Sequence, residues 1–536
     1  MRPRLILLAL LALPAARSGV PHAAHSGGQV RLPVSCNAAS QAGFDRALTL
    51  LHHMTYPQAR EAFAEVVAAE PDCAMAHWGI AMTLFQPLWP TRPGPEARAR
   101  GWEELSRARA LAPPTPRERA FIATAEAFFR DPAAEDYWAR IRRWSDAAQA
   151  MHAHDPDDEE AAVFAALGLL ATTPADRSSR ANADRAAAIL ARMLAHDPEH
   201  PGAMHYLVHA NDVPGRERES LAVTRHYESI APDNPHALHM PTHIYTRLGD
   251  WDGVVRGNLR AADAALKHPA GEQGEYVWDE FPHAIEYLVY ALLQQGRDDE
   301  AAAQVRRLQA TARLEPSFKT AFHLASTQAR LALERRDWDA AAAITPREPT
   351  RIDWKRFPWP ESVAWFARGL GAVHTGDIDA AHAAVTRLAV LEEAGTAAGE
   401  TLFARSIRVS RLELEAWLAQ ARGEHTYALA RMREAAELEA ATPKHAVTPG
   451  PTLPAGEQLG DLLIAQRQPA AALEAYRATL ARQPRRFNAL LGMARAAAAA
   501  GDREAARAGY RSLLEVAGNG RRGPALEEAR RALEER

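Results

Sequence analysis

Cysteine is almost absent from this chain: Cys36 and Cys73 are the two in 536 residues. A cysteine-ligated metal cluster or a C-x-x-C redox relay is thereby excluded. Lysine is nearly as scarce, confined to Lys267, Lys319, Lys355 and Lys444, and the net charge is −4. No basic stripe exists to follow a phosphate backbone, so nucleic acid is not an expected partner. After the first twenty residues no apolar run is long enough to span a bilayer. Period-two alternation is missing, which argues against a sheet protein. Also missing are the G-x-S-x-G elbow, the phosphate-cradling G-x-x-x-x-G-K, the dinucleotide fingerprint and H-E-x-x-H.

What remains is a chain with 47% hydrophobic and 24% charged residues, a folded rather than disordered composition. At this length it exceeds one compact core, so several domains or a repeat array are expected. The N-terminus, "MRPRLILLALLALPAARSGV", joins Arg2 and Arg4 to an apolar run and then small residues. That is the pattern of a cleaved signal peptide, assigned to 1–18, and implies a periplasmic or secreted protein. His22 and His25 fall in the following 19–39 linker, expected to be a flexible tail. An even cysteine count in an exported protein invites a Cys36–Cys73 disulfide, two buried thiols being the alternative.

Prolines recur between amphipathic segments, and Pro198 to Pro232 is a step of 34 residues. The segment from Leu453 to Pro484 resembles the tetratricopeptide consensus, with Gly460, Ala472, Tyr476 and Pro484 at repeat positions 8, 20, 24 and 32. Small residues there let paired helices approach, an aromatic fills the gap, and proline ends the second helix. The fold class expected is all-α: a tetratricopeptide-like right-handed solenoid of about a dozen antiparallel helix pairs with a concave groove. The chain then divides into N-terminal repeats at 40–200, histidine-rich repeats at 201–315, further repeats at 316–440, a proline-rich loop at 441–457, and terminal repeats with a cap at 458–536. The loop at 85–97 is also proline-rich, and loops of this length tend to cover or line a binding face.

Three segments align on a leading proline: PGAMHYLVH from 201, PHALHMPTH from 235 and PHAIEYLVY from 282. His205 and His209, like His239 and His243, are four residues apart and share a helix face. Imidazoles from adjacent helices can meet one ion at about 2.0–2.1 Å. The four form the expected set, with His236, His283, Glu286 and Asp212 as further ligands or supporting carboxylates. Imidazole suits zinc or copper. Against this stand a metal-free polar groove, purely structural histidines, and Pro241, which removes a backbone donor inside the motif. His52, His53 and His77 read as core or groove residues. His445 and Glu457 flank the 441–457 loop and join the site if that loop folds back.

These blocks, with "VSCNAASQAGFDRALTLLHHMTYPQA" and "VTPGPTLPAGEQLGDLL", resemble exported bacterial tetratricopeptide-repeat proteins over nearly the whole mature chain. The resemblance implies an exported helical solenoid and no particular chemistry. The leading functional expectation is a binding protein with a transition-metal site, zinc or copper, and a peptide, protein or small molecule in the groove. The rivals are a metal-dependent enzyme, with Glu286 or Asp212 as general base and Tyr290 at the same level, and a metal-free interaction scaffold.

Overall fold

The computed structural model describes residues 28–89, 92–134, 136–173, 180–271 and 274–534. The segment expected to be a signal peptide, His22 and His25 lie outside the described residues. From Ala38–His52 to Gly523–Glu534 the chain is a succession of α-helices. Local sequence starts them: Asn37, Thr115, Asp158 and Ser317 each cap a helix with a side-chain oxygen, and Pro95, Pro116, Pro201 and Pro235 occupy first turns. Each helix packs on its successor and, in the central region, on the next but one, so first helices form one layer and second helices another. The fold is the expected all-α array of stacked helical hairpins. The strands described, Pro269–Ala270 and Tyr276–Val277, form one minimal antiparallel pair before the Glu280–Gln294 helix.

Two apolar cores carry the array. The N-terminal one gathers Phe44, Phe63, Trp78, Trp144 and Phe164; the larger runs from Leu238 to Ala529. The larger core includes Phe487, Leu513 and Leu526 beside Phe281 and Leu288, because the last hairpins fold back on the middle of the chain. Polar ties reinforce the closure: Trp251 donates to the Arg485 carbonyl at 2.9 Å, and Arg522 pairs with Asp298 at 2.6 Å. At the other end the Ala38–His52 helix packs on Pro201–Asn211. The concave side is therefore not the open trough that a regular solenoid offers. Trp89 and the 441–457 loop pack against the central helices.

Part of the 19–39 linker is also packed. Val30 and Leu32 are buried, and the backbone of Val30, Leu32 and Val34 donates to Thr49, Asp45 and Gln41 along the first helix. Cys36 and Cys73 precede successive first helices, with Cα atoms 5.3 Å apart, and are joined in a disulfide. In the chain-entropy account a loop of this size confers about 3–4 kcal/mol. A Cys36→Ser, Cys73→Ser variant is expected to lose that much in urea unfolding, with proteolysis beginning in the first two hairpins.

Candidate metal centre

Six imidazoles meet where four helices converge: Pro201–Asn211, the broken pair Pro235–His239 and Pro241–Leu248, Glu280–Gln294 and Phe318–Glu334. Two glycines set the approach. A side chain at Gly202 would stand 2.5 Å from the His52 ring, so only a bare Cα lets the 201–211 helix seat on the first helix. A side chain at Gly257 would meet Thr242 at 2.5 Å, so that glycine admits the Trp251–Ala265 helix beside the histidines.

Pro241 interrupts the helix but does not turn the motif aside. Met240 keeps helical angles, and the Thr242 hydroxyl donates to the His239 carbonyl at 2.7 Å, a bond that helps hold the broken turn together. His239 and His243 still bring their Nε2 atoms to 3.0 Å.

The other ring nitrogen of five histidines is engaged by an acceptor. His205 Nδ1 donates to the His52 carbonyl at 2.7 Å, and His236 Nδ1 to Glu280 at 3.0 Å. His239 Nδ1 donates to the Asn258 side-chain oxygen at 2.7 Å; the Asn258 amide nitrogen donates elsewhere, to Val254, which fixes that oxygen as the acceptor. His243 Nδ1 donates to Asp212 at 2.9 Å. His283 Nδ1 donates at 3.1 Å to His323 Nε2, whose own Nδ1 donates to Glu286 at 2.5 Å. With each Nδ1 protonated, each Nε2 of the neutral ring carries a lone pair. Two pairs of those lone pairs face one another, His205 to His236 at 3.1 Å and His239 to His243 at 3.0 Å, and His209 Nε2 also lies 3.2 Å from His205 Nε2.

Protonation is a poor way to relieve that opposition. Burial pushes the pKa of His205, His209, His239 and His283 well below the ordinary imidazole range, helped by neighbouring imidazoles, and brings His243 to about 4. The supporting carboxylates stay ionised. Burial would raise Asp212, but Lys444 and Arg247 hold it well below the usual range, and Lys319 does the same for Glu280.

The expected four-cornered set is divided. His205, His209 and His236 form one group and His239, His243 and His283 another, each with ligand atoms within 4.8 Å of one another. Asp212 and Glu286 lie behind the rings rather than among the ligands: Asp212 between His243, Arg247 and Lys444, Glu286 between His323 and Arg330. Tyr290 is displaced from the expected level. Its hydroxyl accepts from Arg486 at 2.9 Å, and Tyr287 instead stacks edge-on to His239 at 4.6 Å. His323, Glu280, Asn258 and Tyr287 were not singled out by the sequence. The four-residue spacing that picked the other pairs reaches Tyr287 when counted from His283.

A third group, His52, Glu160 and His200, is closed by hydrogen bonds. His52 and His200 donate to the two oxygens of Glu160 at 2.9 and 3.0 Å, and His200 Nδ1 accepts from the Ala203 backbone. Its lone pairs are spent. His53 meets the Tyr227 hydroxyl at 2.7 Å, and His77 meets Glu104 at 2.6 Å, as buried structural histidines do.

Trp89 and the 441–457 loop cover the centre. Trp89 packs on His236 at 5.1 Å with the Lys319 ammonium 3.5 Å from its ring. Across from it, the 441–457 loop is fixed by Arg330, which donates to Thr448, Gly450 and Pro451, and by Lys444 on Asp212. Tyr287 Oη lies 3.1 Å from the carbonyls of Ala446 and Thr448. Beside these covers a small, partly open cavity of about 20 Å³ is bounded by His209, His236, His243, His283, His445 and Val447. His445 thus reaches the edge of the site, with its Nδ1 accepting from Val447; Glu457 does not, being held by Arg486 and Arg336. On the far side of the same loop lies a larger cavity of about 340 Å³, walled by Trp251, Tyr290, Phe322, Trp359, Glu413 and Glu439. Among the described residues no helix is long and apolar enough to cross a membrane.

No protein-family model matches the chain, and no curated protein matches it. Among solved structures it is similar to the human IFIT1 dimer with PPP-AAAA, at 13% identity over 83% of this chain and 91% of that one, TM-score 0.39. It is also similar to yeast Tom70, at 11% identity over 92% and 95% of the two chains, TM-score 0.30. The APC/C hetero-tetramer Cut9–Hcn1 gives 12% identity over 92% and 96%, TM-score 0.29. At these identities no ligand or partner passes from those proteins to this one.

Proposed function

We propose that this chain is an exported transition-metal-binding protein of tetratricopeptide-like architecture, its metal held by inward Nε2 atoms of His205, His209, His236, His239, His243 and His283. The observation that carries the reading is the facing of bare imidazole nitrogens at 3.0–3.1 Å, His239 to His243 and His205 to His236. A buried polar atom left unsatisfied costs roughly 1–3 kcal/mol, and burial opposes the protonation that would otherwise join two rings. A cation satisfies the nitrogens of a group together. Two nitrogens bound to one ion at about 2.0–2.1 Å with a tetrahedral angle lie about 3.3 Å apart, close to the spacing present. Neutral nitrogen ligands select zinc or copper over calcium and magnesium. Asp212, Glu280, Asn258 and the His323–Glu286 pair orient the rings from behind. The 340 Å³ cavity beyond the 441–457 loop suits a small molecule better than an extended peptide.

A second reading is catalytic. Three imidazoles leave an ion with an open position, as catalytic sites do and closed structural sites do not. In that case Asp212 and Glu286 position histidines rather than act as general bases, since both carboxylates are engaged by cations and imidazoles.

Metal analysis of protein purified without a histidine tag tests the proposal. His239→Ala, His243→Ala is expected to lose metal relative to the parent, while His200→Ala, in the hydrogen-bonded third group, keeps the parental content. Equal metal in all three proteins would leave only the interaction scaffold.

A further inference from the structure

We infer that the two imidazole triads form one dinuclear centre, taking two transition-metal ions, copper by preference, whose free positions open on a single small cavity. The inference rests on the metal-binding reading above and adds the number of ions and their relation.

A single ion cannot serve all six nitrogens. Ligand atoms around one ion at about 2 Å lie within about 4 Å of each other, and the nitrogens gather in two separate sets of three, each within 4.8 Å, not in one set of six. The sets are nonetheless neighbours. His209 and His243 have ring centroids 6.0 Å apart, and His236 and His239 6.1 Å, so rings of one triad pack on rings of the other. Both triads also wall the same cavity, His209 and His236 from one side, His243 and His283 from the other. At about 20 Å³ it holds one water-sized guest. Open positions facing so small a space are directed at one another and at whatever occupies it, the arrangement of two-metal sites. Trp89 and Val447 also line it, and a space of this size admits only molecules of a few atoms.

Charge argues for copper. The six ligands are neutral, and each carboxylate behind them already faces a cation: Glu280 has Lys319, Asp212 has Arg247 and Lys444, and Glu286 has Arg330. Among the described residues neither imidazole triad includes a carboxylate to balance a divalent ion, and Lys319 is shared between Glu280 and Asp279. The cost of burying an ion grows steeply with its charge, so a pair of cuprous ions is the cheaper occupant.

Anaerobic titration of the untagged, metal-stripped full chain with cuprous ion, followed by desalting and elemental analysis, is expected to retain two equivalents per chain. One equivalent would overturn the dinuclear centre while leaving the metal-binding reading intact; none would overturn both. His205→Ala, His236→Ala should retain one equivalent with an unchanged far-ultraviolet circular dichroism spectrum, and two equivalents in that variant would remove the first triad from the proposal. After air oxidation, the doubly integrated paramagnetic signal should fall well short of the copper present, because paired cupric ions couple. A signal accounting for both ions would mean two independent sites and would end the proposal.

Discussion

Arg486→Met is expected to lower stability to urea by about 3–5 kcal/mol, the cost of stripping one partner from a buried ion pair. The Arg486 guanidinium has no solvent exposure and reaches Glu457 at 3.0 Å, Glu334 at 2.8 Å and the Tyr290 hydroxyl at 2.9 Å. Groups 29, 152 and 196 residues away in the chain therefore share one cation. Its removal leaves two carboxylates buried, only partly offset by Arg336 on Glu457 and Asn488 on Glu334. Because these contacts hold the last hairpins against the middle of the array, the same variant should become sensitive to protease beyond residue 457. The exposed Arg107–Glu103 pair is the comparison: Arg107→Met should cost less than about 0.5 kcal/mol. Similar small losses in both variants would mean that the array does not depend on its closure.

Arg330→Met is expected to be as costly, about 3–5 kcal/mol, and to change access to the metal centre. Arg330 is likewise fully buried; it binds Glu286 at 3.0 Å and donates to Thr448 and to the carbonyls of Gly450 and Pro451. One side chain thus neutralises the carboxylate behind His323 and fastens the loop above the histidines. Without it the loop loses its anchor, and a chelator should strip metal faster than from the parent at equal temperature. A destabilised variant with unchanged metal release would separate the two roles and show that the 441–457 loop does not guard the centre.

Much of this was legible in the sequence, for identifiable reasons. The 34-residue step, the cysteines ahead of successive first helices and the four-residue histidine spacing are local patterns, and local patterns survive folding. The division of the quartet was not legible. It depends on how far the 201–211 and 235–248 helices are offset, which Gly202, Gly257 and the break at Pro241 decide together. The acceptors behind the rings were hidden for another reason. His52 supplies its carbonyl from 153 residues away, Asn258 sits on a helix with no histidine, and His323 stands on a helix without the four-residue histidine pair. Tyr290 was placed by aligning Pro282 with Pro201 and Pro235, yet the helix there begins at Glu280, so the register differs. The closing of the concave side by the chain's own ends has no signature in any single repeat.

X-ray absorption at the metal edge of untagged protein, as purified, tests the central claim most directly. Imidazole nitrogens at about 2.0–2.1 Å, with the outer-shell scattering of histidine rings, are the expected result. An edge showing no bound zinc or copper, or a shell made of oxygen alone, would contradict it.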